Sequence, residues 1–504
     1  NSELFPIAIF RLHFSPPSPT PKSPRESAPA AMASPPGPAR LAALLLLALL
    51  AGPAASRFAP ADNHLIACGA TAPAVLPDGR RFVPDSGCAS MTLRSAAPAL
   101  PSAAPAAPAP APPSPLHAAA RVFSCHASYD LAVRRRGRHV LRLHFYPFSP
   151  ALASACFHVG AGGFLLLHNF TAPSPVVKDF LLPVDADVLV LTFVPEAGSA
   201  AFVNAIELFS APDELVGDIG TLVAAAGVNR TDGLSSQVFE TLYRINVAGR
   251  KVTPFNDTLW RTWVNDEGFL VSKESSSSKA WSFGGRIAYP KDSRLMTREV
   301  APDNVYNSAR SVRSDGNLTW DFPVPARNRY LVRMHFCDIV SKALYQLYFS
   351  IYVNGHLAAK DFDISSTTGY LAYPYYIDYV VDVDDEGMLK LAIGGSKMSR
   401  PGEASGFLNG LEIMRMNKTG GGMDVDFPAV LDMGYLVSKG FGEFARSLLC
   451  GLVFAGLFLV LVMLVLRLRT ELKNNGTLWF SQSVDSGEGK LAKAYQLVPT
   501  KTDY

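Results

Sequence analysis

Hydrophobic and polar residues alternate in short runs over most of the chain between residues 57 and 417, the period-two signature of half-buried strands. The clearest run is Arg138–Phe145, RHVLRLHF. Leu141, Leu143 and Phe145 fall on one face of an extended chain, Arg142 and His144 on the other. The pattern returns 191 residues later as RYLVRMHF in Arg329–Phe336. A second echo follows each copy in the same order, FVNAIE at Phe202–Glu207 and FLNGLE at Phe407–Glu412. Two motifs recurring in one order point to a duplicated unit. Between them lie further apolar runs such as DFLLPVDADVLVLTFVP, LYQLYFSIYVNG and YYIDYVVDV, broken by Gly, Pro and Asp. That texture predicts an all-β chain of two tandem β-sandwich modules, residues 57–210 and 238–417.

The remaining segments break the alternation. Residues 96–120 are almost wholly Ala and Pro, a composition that packs no core and is expected to form a disordered surface insertion in the first module. Residues 211–237 read as a connector and 418–447 as a stalk. Two runs are continuously apolar. Leu41–Leu50, preceded by Arg40 and followed by small residues to Ser56, has the layout of a secretory signal peptide over 32–56, which makes residues 1–31 leader-derived or disordered. Leu448–Leu466 holds nineteen residues without a charge, about 28 Å of helix. Arg467, Arg469 and Lys473 flank it as a stop-transfer signal, ahead of a short tail, 467–504. The expected topology is single-pass type I at the plasma membrane, with residues 57–447 outside.

Asn169, Asn229, Asn256, Asn317 and Asn417 each head an N-x-T triplet on the outer side, which predicts a glycosylated ectodomain; Asn475 heads another inside and is expected to stay bare. The five outer cysteines leave at least one unpaired. Cys337, after an apolar strand, is expected to be a buried thiol; Cys68, Cys88, Cys125 and Cys156 allow three pairings or none. A net charge of +3, without a basic patch, argues against nucleic acid.

Candidate chemistry is sparse. His144 and His335 each follow an Arg two residues earlier on the same strand face, which disfavours a cation site, and Asn204/Glu207 and Asn409/Glu412 recur as a shared structural pair. Asp382, Asp384 and Asp385 lack calcium-loop spacing. No nucleophile elbow, zinc-protease motif or kinase signature is present, so no catalytic residue, metal or cofactor is expected. Tyr370, Tyr373, Tyr375 and Tyr376 are candidate ligand-binding residues, since tyrosine offers stiff amphipathic area; ordinary strand packing is the commoner use of such a cluster.

The modules resemble the malectin-like ectodomain of plant receptor-like kinases of the Catharanthus roseus RLK1-like class, the FERONIA and THESEUS group. The resemblance rests on Asn63–Gly69 (NHLIACG), Arg138–Pro147, Phe202–Pro212 (FVNAIELFSAP), Glu240–Val247 (ETLYRINV), Asn256–Leu259, His335–Ser341 (HFCDIVS) and Leu408–Glu412, in that order across residues 58–417. It implies jelly-roll modules and a receptor that senses secreted RALF-type peptides with a small GPI-anchored co-receptor, and cell-wall pectin. Family members continue into a Ser/Thr kinase that this sequence does not contain; it reads either as the outer part of a complete receptor kinase or as a kinase-lacking form. A wall-binding lectin is the third reading. At the positions where animal malectin stacks an aromatic pair on glucose, this chain is aligned to Ser149-Pro150 and Val340-Ser341, which implies that the animal disaccharide site is not retained.

Overall fold

The computed structural model describes residues 58–103, 114–271, 278–289, 296–313, 316–400 and 404–417, with Met463 beyond them. The expected signal peptide, stalk, membrane span and tail lie outside the described residues. Among those described, no helix is long and apolar enough to cross a membrane.

Two cores form where the sequence alternates. In the first, Leu141, Leu143 and Phe145 project from the strand Gly137–Phe145, with Phe180, Leu182, Ile206 and Leu208 from its neighbours. They meet Tyr129, Leu131, Val159, Leu191 and Phe193 from a facing five-stranded sheet. The second core repeats the arrangement. Val332, Met334 and Phe336 from Arg329–Phe336 pack with Leu411 and Ile413 against Trp320, Phe349, Ile351, Leu391 and Ile393 of a four-stranded sheet. Each such side chain, fully withdrawn from water, contributes about 1.5–3 kcal/mol.

The two modules are not separate sandwiches joined by a linker. Their inner sheets are one sheet, thirteen strands among the described residues. The seam is the antiparallel pairing of Val176–Val184 with Phe239–Asn246, in register at Asp179↔Thr241, Phe180↔Glu240 and Leu181↔Phe239. Beyond the seam the first module continues through Gly137–Phe145, Ala205–Ser210 and Asn63–Ala67, and the second through Gly410–Met416, Arg329–Phe336 and Tyr375–Asp382.

The repeated Asn marks the same event in both modules. Asn204 stands between the strands Ala201–Val203 and Ala205–Ser210, and Asn409 between Ala404–Leu408 and Gly410–Met416, where the chain leaves a three-stranded sheet for the shared one. A chain switching sheets leaves backbone groups unpaired, and a buried unpaired amide is costly. The Asn204 side chain accepts from Tyr146 N–H (2.7 Å) and donates to Ala119 C=O (2.8 Å). Asn409 accepts from Cys337 N–H (2.7 Å) and donates to Tyr306 and Ser308 C=O (3.1 and 2.9 Å).

Two expectations are corrected. Residues 96–120 are not disordered throughout: Leu100–Ala103 pairs antiparallel with Ala119–Phe123, and the Arg121 guanidinium holds the Ala99 carbonyl at 3.1 Å. An available strand edge recruits even a Pro/Ala segment, because main-chain hydrogen bonds need no particular side chain. Residues 104–113 lie outside the described residues. Nor is 211–237 a plain connector. Gly220–Ala224 and Gly227–Thr231 form a hairpin that joins the second module's side of the shared sheet, Thr221 and Leu222 lying beside Tyr379 and Val380.

Candidate recognition site

The polar face of the repeated strand does not meet solvent. Arg142, Asp179 and Glu207 from the first module and Arg244, Arg333, Asp378 and Glu412 from the second lie on the face of the shared sheet opposite both cores. Loops cover this face with Leu215, Val216, Leu234 and Leu259. Glu207, with no exposure, accepts from Arg80 (2.5 Å), Arg142 (2.8 Å) and His144 (2.8 Å). Asp179 accepts from Arg142 (3.1 Å) and, across the seam, from Arg244 (2.8 Å). Arg244 also reaches Glu412 at 2.9 Å, and the His335 imidazole lies 3.4 Å from the other Glu412 oxygen. Arg333 makes a two-pronged pair with Asp378 (2.8 and 2.7 Å). On the core side of the seam, Lys178 from the first module bonds Glu240 of the second at 2.7 Å.

Burial alone would push these carboxyls up, since low polarity disfavours the anion. The neighbouring cations outweigh it. Arg142, His144 and Arg80 hold Glu207 at about 2, Arg142 and Arg244 hold Asp179 low, and His335 and Arg244 hold Glu412 low. Burial would lower the Arg142 and Arg333 pKa values, but Asp179 with Glu207, and Asp378, raise them instead. Burial drives His335 downward, towards the neutral imidazole. The cavity among these groups is about 20 Å³, room for one water and no ligand. Every named charge has a partner, and the arrangement holds the modules in one body.

The open surfaces lie elsewhere. The structure separates the four candidate tyrosines. Tyr370 and Tyr373 stack on each other (centroids 5.4 Å apart) in the loop after Gly369, and Tyr370 is 63% exposed. Tyr375 stacks on Phe362, and the Arg333 guanidinium lies 4.1 Å from the Tyr376 ring centroid, so both serve packing. The aligned positions of the animal sugar pair are also committed locally: Ser149 caps the turn Pro150–Ala153, and the N–H groups of Val340 and Ser341 bond the Asp338 carboxylate. A cleft of about 580 Å³ opens where the hairpin of 220–231 meets the second module. Gln237, Arg327, Arg329, Asp382 and Asn417 line it, and Arg329 pairs with Asp382 at 2.7 Å and Arg327 with Asp385.

Asn169, Asn229, Asn256 and Asn317 are exposed, whereas Asn417 is half-buried and accepts from Val238 N–H at 2.8 Å. Cys68 and Cys337 are buried thiols, and Cys88, Cys125 and Cys156 are also unbridged. Among the described residues no His, Cys, Asp and Glu groups converge as a metal site. Sequence reasoning missed Asp179, Arg244, Arg80 and Asp378. The available signal was a lone carboxylate inside an apolar strand, as in Asp179-Phe180-Leu181-Leu182.

A double sandwich fused through one sheet, with a repeated Arg/His…Asn/Glu signature, defines a tandem all-β architecture of two like modules. The malectin-like domain family matches residues 66–416, and the chain belongs to that family, homologous to the ectodomains of plant receptor-like kinases. It is 40% identical over 373 residues to the probable receptor-like protein kinase At5g24010 of Arabidopsis thaliana, covering 71% of this chain and 44% of that protein. It is 36% identical over 375 residues to THESEUS 1 and 30% over 414 residues to FERONIA, both from the same plant. The chain spans less than half the length of these relatives, 42% of THESEUS 1 and 46% of FERONIA. Among solved structures, the ANXUR1 extracellular domain from Arabidopsis thaliana matches with a TM-score of 0.64 at 28% identity, over 73% of this chain and 100% of that one. A crystal structure of the plant peptide RALF23 in complex with FER and LLG2 contains a chain that matches with a TM-score of 0.60 at 30% identity, over 72% of this chain and 97% of that one.

Proposed function

We propose that residues 57–417 are the ligand-recognising ectodomain of a plant plasma-membrane receptor, held outside the cell by the span 448–466 and glycosylated at the outer sequons. The ligand is a RALF-type secreted peptide, bound together with a small GPI-anchored co-receptor. The supporting observation is the match to nearly the full length of a chain solved with RALF23, FER and LLG2, combined with a seam that fixes both modules in one body. A rigid pair presents its loops at a constant spacing, which lowers the ordering cost of binding a peptide and a second protein at once. The matched relatives are receptor kinases of about twice this span, and the chain is read as corresponding to the outer, non-catalytic part of such a receptor.

Binding measured by surface plasmon resonance tests this reading. A RALF-type peptide is expected to bind the immobilised ectodomain with the co-receptor present and more weakly without it. The exposed Tyr370–Tyr373 stack favours a second reading, a wall-polysaccharide lectin, because a flat ring pair suits a pyranose face. Binding of pectin oligosaccharides with no response to peptide, with or without co-receptor, would overturn the peptide reading.

A further inference from the structure

The shared sheet ends at two very different edges. At the first module's end the terminal strand is Ala74–Val75, only two residues long. At the second module's end it is Gly227–Thr231, five residues, about 17 Å, of which the first four are exposed. Val228 is 43% exposed. Among the described residues its main chain bonds only to Gly220–Ala224, so the outer side of this strand offers free N–H and C=O groups. A long, exposed edge of this kind templates pairing with another chain, and soluble proteins blunt it with charge, proline, a bulge or a cover. This strand has no proline, no bulge in its pairing, and one charge, Arg230, which is tied to Asp232 at 2.9 Å.

What it does have is a sequon at its centre. Asn229-Arg230-Thr231 places Asn229 opposite Leu222, exposed, with no hydrogen bond from its side chain among the described contacts. The coincidence recurs. Asn169 lies in Phe164–Phe170, which ends the five-stranded sheet, and Asn317 begins Asn317–Pro323, which ends the four-stranded one. Those two edges carry other protection: Phe164–Phe170 is bulged, with Asn169 itself at φ 46°, and Val271 N–H bonds Thr319 C=O over part of the other. The edge at 227–231 passes near His356–Asp363 but has neither a bulge nor, among the described residues, a main-chain bond from outside its own hairpin.

We infer that Asn229 carries an N-linked glycan whose role is to cover the open end of the shared sheet and prevent edge-to-edge association of the ectodomain. A branched, hydrated sugar anchored at mid-strand excludes a second strand from the register that hydrogen bonding requires. The inference rests on the extracellular reading above, because only a chain that enters the secretory pathway acquires the glycan.

The test uses the full chain expressed in plant cells and purified in detergent. Site occupancy is read by peptide mass spectrometry, and the mass of the particle by light scattering. Asn229 is expected to be occupied. N229Q and T231A, which both destroy the sequon, are expected to raise the particle mass by about two-fold or more at concentrations where the wild type, T231S and N256Q do not. Adding V228K to N229Q is expected to restore the wild-type mass by placing a charge on the edge. Enzymatic deglycosylation of folded wild-type protein provides the same comparison without a substitution. Occupancy at Asn169, Asn256 or Asn317 with Asn229 bare would overturn the inference and leave the topology standing. So would an occupied Asn229 whose removal leaves the mass unchanged. No occupancy at any sequon would overturn the extracellular reading and this inference together.

Discussion

Both modules carry the same four residues, Arg142/Arg333, His144/His335, Asn204/Asn409 and Glu207/Glu412, and hold the Glu differently. The Asn does the same work in each, bridging the point where the chain changes sheets. The Arg in each faces a carboxylate on the adjacent strand, Asp179 or Asp378. The Glu diverges. Glu207 is held by its own module's Arg142 and by Arg80 from a loop, because the strand beside it offers Leu65 at the facing position. Glu412 has Arg244 at that position, on the strand that also forms the seam. A duplicated motif therefore keeps its backbone task, while its charges are rewired where one copy meets the other. A smaller divergence has a steric cause. Ala205 in the first copy is Gly410 in the second, where an added Cβ would lie 2.5 Å from Val305 Cγ1 and 3.1 Å from Ile245 O.

The largest effect is expected from Arg142→Ala, which leaves Glu207 and Asp179 buried with fewer cations. Loss of one partner of such a network costs about 3–5 kcal/mol, read as a drop in the urea midpoint. Arg333→Ala should cost less, since it strands one carboxylate, Asp378, and the Leu215 carbonyl rather than two carboxylates; equal losses would contradict the difference in wiring. Next come the switch-point residues. Asn409→Ala should destabilise by about 1–3 kcal/mol and exceed Asn204→Ala, because it orphans three backbone groups rather than two. Gly410→Ala should cost about 1–3 kcal/mol by overpacking, whereas Ala205→Gly should cost about 0.5–1 kcal/mol through backbone entropy.

The pH dependence sharpens the comparison further. Glu207 titrates at 4.5 ordinarily and at about 2 when folded, so its stabilisation is complete above 4.5 and is lost as the pH falls towards 2. Glu412 and Asp179 have the same sign. His117 in the first module is lowered from 6.5 to about 4, by burial and then by His144, and His335 in the second is lowered by burial. The unfolded chain takes up these protons first, so their contribution is complete above 6.5 and declines below it. The urea midpoint should be flat above pH 7, slope gently from 6.5 to 4, and fall steeply below 4.5. His117→Gln should flatten the middle region only. The smallest effect is expected from Arg327→Ala, whose exposed pair with Asp385 should leave the midpoint unmoved.

Much of this was legible in the chain. The alternation around Leu141, Leu143 and Phe145 shows the strand and its core face, and the recurrence of RxHF and FxNxxE shows the duplication. What the period could not show is the fate of the polar face. Alternation places Arg142 and His144 on the face away from Leu141 but does not say what covers that face, and the loops carrying Arg80 and Leu259 come from distant sequence. The seam was equally hidden, since Asp179 meets Arg244 only once the two sheets are continuous. The hairpin of 220–231 was missed because its strands are only five residues long and turn through Ala225-Ala226, which carries no turn signal, and Leu100–Ala103 because strand propensity is weak in Pro and Ala.

The central claim is that the two modules form a single body welded at Asp179, Arg244, Lys178 and Glu240. Scanning calorimetry of segment 57–417, produced by secretion from plant cells, tests it most directly. The account predicts one cooperative transition, with calorimetric and van't Hoff enthalpies equal, that splits into two in Asp179→Ala/Lys178→Ala. Two independent transitions in the unaltered protein would contradict it.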